Sequence, residues 1–175
     1  MATVSGGRVT PIGREPELTV LLGFLEPHAP ARALALYGGP GIGKTTLWEA
    51  GIAAARDRDC RVLPARASGA DARLAFAAVI DLLDDVGADE LEPLAVPQRR
   101  ALEAAVLRAD PVGPPPELRA IALGLLNVLR RSAGFRPLVI AIDDVQWLDP
   151  HSLEVLEFVA PRLESSAVQS AAAGA

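Results

Sequence analysis

Apolar residues recur along this chain with two spacings, and the two alternate. Residues 33–37, 61–65 and 138–142 read as strands, the last an uninterrupted Leu138-Val139-Ile140-Ala141-Ile142 preceded by Pro137. Between them the period lengthens to the i, i+3, i+4, i+7 pattern of one helix face. Leu18, Leu21, Leu22 and Leu25 follow it first, with Pro16 in the opening turn, where proline is tolerated. A helix from Thr45 to about Arg58 comes next, and Phe76, Val79, Ile80 and Leu83 repeat the spacing. So do Leu102, Ala105 and Val106, and Leu118, Ile121, Ala122, Leu125, Val128 and Leu129 on a longer face. Leu153, Leu156, Ala160 and Leu163 mark a last helix, and the prolines at 111–116 a stiff loop. Strands separated by helices imply an α/β fold with a parallel sheet and helices on its faces. Residues 1–11 are expected to be a flexible N-terminal arm and 12–163 the core. The small, polar, Ala-rich 164–175 is expected to be a disordered tail.

Composition narrows the functional classes. The 175 residues carry a formal net charge of −5, so no general basic field attracts nucleic acid or an anionic membrane. Cys60 is the only cysteine, which excludes an internal disulfide and a Cys-based metal cage. His28 and His151 are too few and too scattered for a metal centre. Residues 1–13 lack the apolar core of a secretory signal. The longest apolar stretch, 120–126, lies between Arg119 and Arg130 and is far short of the ~20 residues of a membrane span. A soluble, cytoplasmic protein is expected. Of 17 basic residues, Lys44 alone is lysine. A compact ammonium enters a phosphate cradle where a planar guanidinium does not fit the same space.

Lys44 stands in Gly38-Gly39-Pro40-Gly41-Ile42-Gly43-Lys44-Thr45, which satisfies G-x-x-x-x-G-K-[ST] between a strand and a helix. In this Walker A pattern the glycines let backbone N–H groups turn inward toward a β-phosphate. The helix start adds its own donors and its positive dipole end. Lys44 would bridge the β- and γ-phosphates, the Thr45 hydroxyl would bind Mg²⁺, and Thr46 would donate toward the α-phosphate. The apolar strand ending in Asp143-Asp144 is the matching Walker B pattern. Asp143 would hold the magnesium through water, and Asp144 would orient and polarise an attacking water. ATP with Mg²⁺ is the expected ligand, and Lys44 and Asp144 are the expected catalytic residues.

Ile12-Gly13-Arg14-Glu15, the loop Pro40-Gly41-Ile42-Gly43-Lys44-Thr45 and Asp143-Asp144-Val145-Gln146-Trp147-Leu148-Asp149 together resemble the AAA-like STAND ATPases. They are most similar to the ATPase modules at the front of large LuxR-type transcriptional regulators. The resemblance implies a P-loop NTPase fold with three αβα layers and a nucleotide-driven regulatory switch whose hydrolysis is slow or partner-dependent. It makes Gly13 and Arg14 candidate contacts to the adenine. Trp147 is expected to pack below the site, Asp149 to start a helix, and His151 to be exposed and idle. Two other readings stay open. A small P-loop kinase would need a lid rich in arginine, and only Arg162 follows the second motif; a truncated remnant would bind nucleotide weakly or not fold alone.

The resemblance also implies parts that this sequence lacks: a sensor strand, a further strand, a helical lid and a DNA-binding module. The sensor strand, fourth in chain order, would lie between the strand before the P-loop and the strand ending at Asp143. Ala167-Val168-Gln169 reads as too short and too poor in β-branched residues to replace it. The expected sheet is therefore incomplete, with strand 33–37 lacking neighbours unless it pairs directly with 138–142. The chain is expected to be marginally stable, or to self-associate or bind a protein partner through that open edge.

Overall fold

The computed structural model describes residues 2–5, 8–27, 33–109, 115–163 and 168–174, with side chains outside 2–10 and 168–174. The segment expected to be a flexible arm is instead an antiparallel hairpin of β1 (Ala2–Ser5) and β2 (Arg8–Pro11), in register from Ala2 opposite Pro11 to Ser5 opposite Arg8. Pro11 is buried. α1 (Glu15–Phe24) has Pro16 in its first turn and buries Leu21 and Phe24. β3 (Ala33–Tyr37) runs into the glycine loop and α2 (Lys44–Asp57) follows. α2 stops at a Schellman closure: the N–H of Cys60 reaches Ala55 O at 3.0 Å and that of Asp59 reaches Arg56 O at 3.0 Å. Asp59 takes the left-handed position, with φ 58°, that glycine more often fills.

β4 (Arg61–Arg66) leads to a 3-10 turn (Asp71–Arg73), then α3 (Ala77–Leu82), α4 (Ala88–Leu91), α5 (Val96–Ala105) and α6 (Leu118–Ala133). Of the expected stiff loop at 111–116, residues 111–114 lie outside the described residues. β5 (Leu138–Asp143), a second 3-10 turn (Val145–Trp147), α7 (Pro150–Leu163) and β6 (Val168–Gly174) complete the order.

Four strands form one parallel sheet in the order β3-β6-β5-β4. The expected tail is therefore corrected. Val168–Gly174 lies between β3 and β5, pairing Ala33 with Ser170 and Tyr37 with Gly174 on one side, and Leu138 with Val168 and Ile142 with Ala172 on the other. The expected gap in the sheet and its alternative, direct pairing of β3 with β5, both fall with it. The physical reason is that strand pairing is main-chain chemistry. A run of alanines supplies every N–H and C=O, and weak β-propensity measures side-chain packing more than backbone fitness. The outer edge of β3 has no partner strand among the described residues.

Strand alternation sorts the core into two layers. Leu63, Ala65, Leu138 and Ile140 face a large cluster with Leu82, Leu102, Ile121, Leu125, Leu129 and Val155 from α3, α5, α6 and α7. Val62, Val139 and Ala141 face the opposite way, onto Leu21, Phe24, Trp48 and Ile52 from α1 and α2. Helices on both faces make the αβα sandwich, and each fully buried leucine adds roughly 1.5–3 kcal/mol. α5 and α6 meet at Gly124, where a Cβ would stand 3.1 Å from Gln98 O and 3.5 Å from Leu102. At the start of β4, Arg61 donates to both oxygens of Glu90, one contact at 2.8 Å, and to Ser132 Oγ at 3.2 Å. That ties α4 and α6 to the sheet.

Two outcomes check this architecture. Ala172→Pro removes a ladder donor from an inner strand and should lower stability by about 1–3 kcal/mol in thermal unfolding. An unchanged melting temperature would place β6 outside the sheet. The Arg61 hydrogen bonds hold the Glu90 carboxyl below its ordinary 4.5. Its stabilisation is therefore complete above that pH and lost as acid protonates it in the folded state. Glu90→Gln should be less stable than wild type in denaturant titrations at pH 7, with the difference shrinking toward pH 3.

Candidate functional site

The glycine loop spans residues 38–43 between β3 and α2. Gly41 and Gly43 have φ of 73° and 94°, a backbone region that side chains with a Cβ enter only at a cost. The Lys44 ammonium turns inward, donating to Gly38 O at 2.8 Å and Gly39 O at 3.2 Å. Gly43 caps α2 without a side chain, and the first turn of the helix carries no acid. Neither a capping side chain nor an acid of the first turn answers its leading N–H groups and positive dipole end, a cradle suited to phosphate.

Asp143 faces this loop from the end of β5. It is 1% exposed, and burial pushes its carboxyl up, reinforced by the charge of Asp144. A hydrogen bond from the Thr45 hydroxyl, the charge of Arg66 and the Asp144 N–H at 3.1 Å act in the other direction. Thr45 and Asp143 are thus brought together from separate elements. Two hard oxygens are too few for an all-protein cage, and no group of three or more His, Cys, Asp or Glu that could hold a metal occurs among the described residues. They fit a magnesium that keeps waters and takes phosphate oxygens as well. Asp144 is half-buried, accepts from Gln146 Nε2 at 2.8 Å, and sits at φ 55°. A left-handed non-glycine backbone at a sheet end is a conformation held by its surroundings and often tied to function.

Gly13 has φ 71°, and its N–H reaches Glu15 Oε1 at 3.2 Å. Arg14 pairs with Glu17 at 2.7 Å and donates to the carbonyl of Ile42, so the segment before α1 is fastened to the glycine loop. Pro40 and Thr46 lie in the loop and in the first turn of α2.

Some residues behave differently from the sequence reading. Trp147, expected to pack below the site, is 47% exposed and lies against Gly69. It lines a mainly apolar cleft of about 450 Å³ with Arg66, Leu74, Asp81, Leu107 and Leu148. Asp149 does start a helix, and it serves two. Its Oδ1 accepts from Ser152 N in α7 at 2.9 Å and from Phe76 N, ahead of α3, at 2.9 Å. Burial alone would raise its carboxyl, but the Ser152 hydroxyl and these N–H donors outweigh it and hold it low. His151 is exposed, as expected, with its ring 5.2 Å from that of Phe76. Arg66 was overlooked because the strand was expected to end at Ala65. A cation closing a strand beside the Asp143 strand was the available signal.

No helix of the described residues is long and apolar enough to cross a membrane. A family model described as an AAA ATPase domain matches residues 10–170, from β2 into β6. No curated protein and no solved structure matches the chain. Covering both the glycine loop and the Asp143 strand, the match shows that the chain belongs to the AAA ATPase domain family, as a nucleotide-binding P-loop module.

Proposed function

We propose that this chain is the ATP- and Mg²⁺-binding module of a STAND-like signalling or transcription regulator, with slow or partner-dependent hydrolysis. The observation that carries the reading is the meeting of Thr45 with buried Asp143 beside an inward-turned Lys44 and an uncapped α2. Lys44 would exchange the Gly38 and Gly39 carbonyls for the β- and γ-phosphates, and the N–H groups of Gly39 and of residues 41–46 would cradle the phosphate chain. Thr45 and Asp143 are the residues that would hold a magnesium ion, Asp143 through water. Such an ion would supply neutralisation of phosphate charge. Asp144, restrained by Gln146, orients the attacking water. Gly13 and Arg14 border the base, a role supported by the Arg14 tie to Ile42. The chain has no nucleic-acid-binding role of its own in this reading. The edge of β3 that has no partner strand among the described residues, ending in Tyr37 at 79% exposed, is where a protein partner or a second copy would add a strand.

Because Lys44 is the only lysine, an amine-reactive ATP analogue should modify it and, at most, the N-terminal amine. Excess MgATP should protect it, and labelling indifferent to MgATP would remove the P-loop assignment. Lys44→Ala should weaken ATP binding by about 10- to 100-fold in calorimetry, the loss of a charge-assisted contact, with little change in melting temperature.

The adjacent acids should separate by role. Asp143→Ala should lower magnesium-dependent nucleotide affinity by about 10- to 100-fold. Asp144→Asn should leave affinity within about twofold and reduce single-turnover hydrolysis by on the order of 100-fold. Equal losses of affinity from both substitutions would reverse the assignment.

A further inference from the structure

Arg66 closes β4 in register with Asp143 and meets three different groups. Its Nε lies 3.7 Å from Asp143 Oδ2, its Nη2 3.0 Å from Glu49 Oε1, and its Cζ 4.9 Å from the centre of the Trp48 ring. Trp48 and Glu49 belong to α2, about one turn beyond Lys44 and Thr45, whereas Asp143 ends β5. One side chain therefore bridges the two elements that carry the halves of the candidate site. The stakes at its ends are unequal. Asp143 is buried beside a second carboxylate, and Arg66 is the one cation in ion-pair range of it among the described residues. Arg66 itself is 54% exposed and Glu49 43%, so Arg66 can leave Asp143 while keeping its solvation and its second partner. A buried carboxylate beside a second acid is stabilised by nearby positive charge, and a half-exposed guanidinium supplies it reversibly.

We propose that Arg66 is a positioning residue that occupies Asp143 in the nucleotide-free protein and releases it when magnesium nucleotide loads, turning toward Glu49. This rests on the reading of Thr45 and Asp143 as the magnesium-facing pair. Arg66 then competes with the metal for one carboxylate, and its presence weakens magnesium affinity while holding Asp143 in place beforehand. Trp48 reports the exchange, because the charge above its indole moves.

The test uses Trp147→Phe protein, in which Trp48 is the only tryptophan. ATP is bound first without metal, and Mg²⁺ is then titrated while emission is followed. The Trp48 spectrum should shift with Mg²⁺. Arg66→Gln should abolish that shift and tighten Mg²⁺ binding by about two- to fivefold, the scale of a partly exposed ion pair, with metal-free ATP affinity unchanged. Arg66→Lys, which keeps the charge, should stay near wild-type affinity. Glu49→Gln should weaken Mg²⁺ binding in the presence of Arg66 and have a smaller effect when combined with Arg66→Gln. A shift that survives Arg66→Gln, weaker Mg²⁺ binding in that variant, or an equal Glu49→Gln effect in both backgrounds would overturn the proposal. ATP binding without any Mg²⁺-dependent change in Trp48 would overturn this proposal alone. A complete lack of ATP binding would overturn the nucleotide reading and this proposal with it.

Discussion

An inner strand of a parallel sheet must find hydrogen-bond partners on both sides, and that requirement sets the geometry of the candidate site. β6 answers to β3 and β5 at once, so it fixes how far apart those two strands stand. With neighbouring strands about 4.8 Å apart, β3 and β5 are separated by roughly 10 Å, too far for their ends to touch directly. The glycine loop has to arch across the end of β6 for Thr45 to reach Asp143. Positive φ at Gly41 and Gly43 belongs to that arch.

The charges follow the same division. The β5 side is anionic and partly buried, with the charge of Asp144 raising the cost of ionising the adjacent Asp143. The α2 side offers Lys44, an uncapped helix start and, one turn on, Glu49 as an anchor for Arg66. Among the described residues, the side chains of Thr45 and Arg66 bridge to Asp143 from α2 and β4. The arrangement matches a ligand that is itself a dication bound to a polyanion, since such a ligand places each sign where the protein presents the other.

How much of this was legible in the sequence follows from what each feature depends on. The helix faces of α2, α6 and α7 and the run of β5 depend on burial, which leaves a period in the residue order, and they were readable within a residue or two. The glycine loop depends on backbone freedom at fixed positions, which leaves a spacing. β6 depends on being threaded between two strands already in place, and nothing in Val168-Gln169-Ser170-Ala171-Ala172-Ala173-Gly174 announces that. Secondary structure imposed by neighbours is not encoded by the segment that adopts it. The pairing of 2–5 with 8–11 leaves no apolar period, because small and polar residues in a sequence read equally well as a mobile arm. At the site, the Thr45–Asp143 meeting was expected from the two motifs, whereas the roles of Arg66 and of Asp149 toward Phe76 required knowing which segments pack side by side.

Asp149 has a mechanical consequence. One oxygen receives N–H groups from Phe76 and Ser152, which are far apart in sequence, so the starts of α3 and α7 cannot drift from each other without breaking a buried bond. The segment 144–149 is then a short chord pinned at both ends: by β5 at Asp143 and by this double cap at Asp149. A chord of fixed length cannot relax its bend by sliding. Asp144, with φ 55°, stands at the β5 end of that chord, and a movement of its Asp149 end would break the bond to Phe76 ahead of α3.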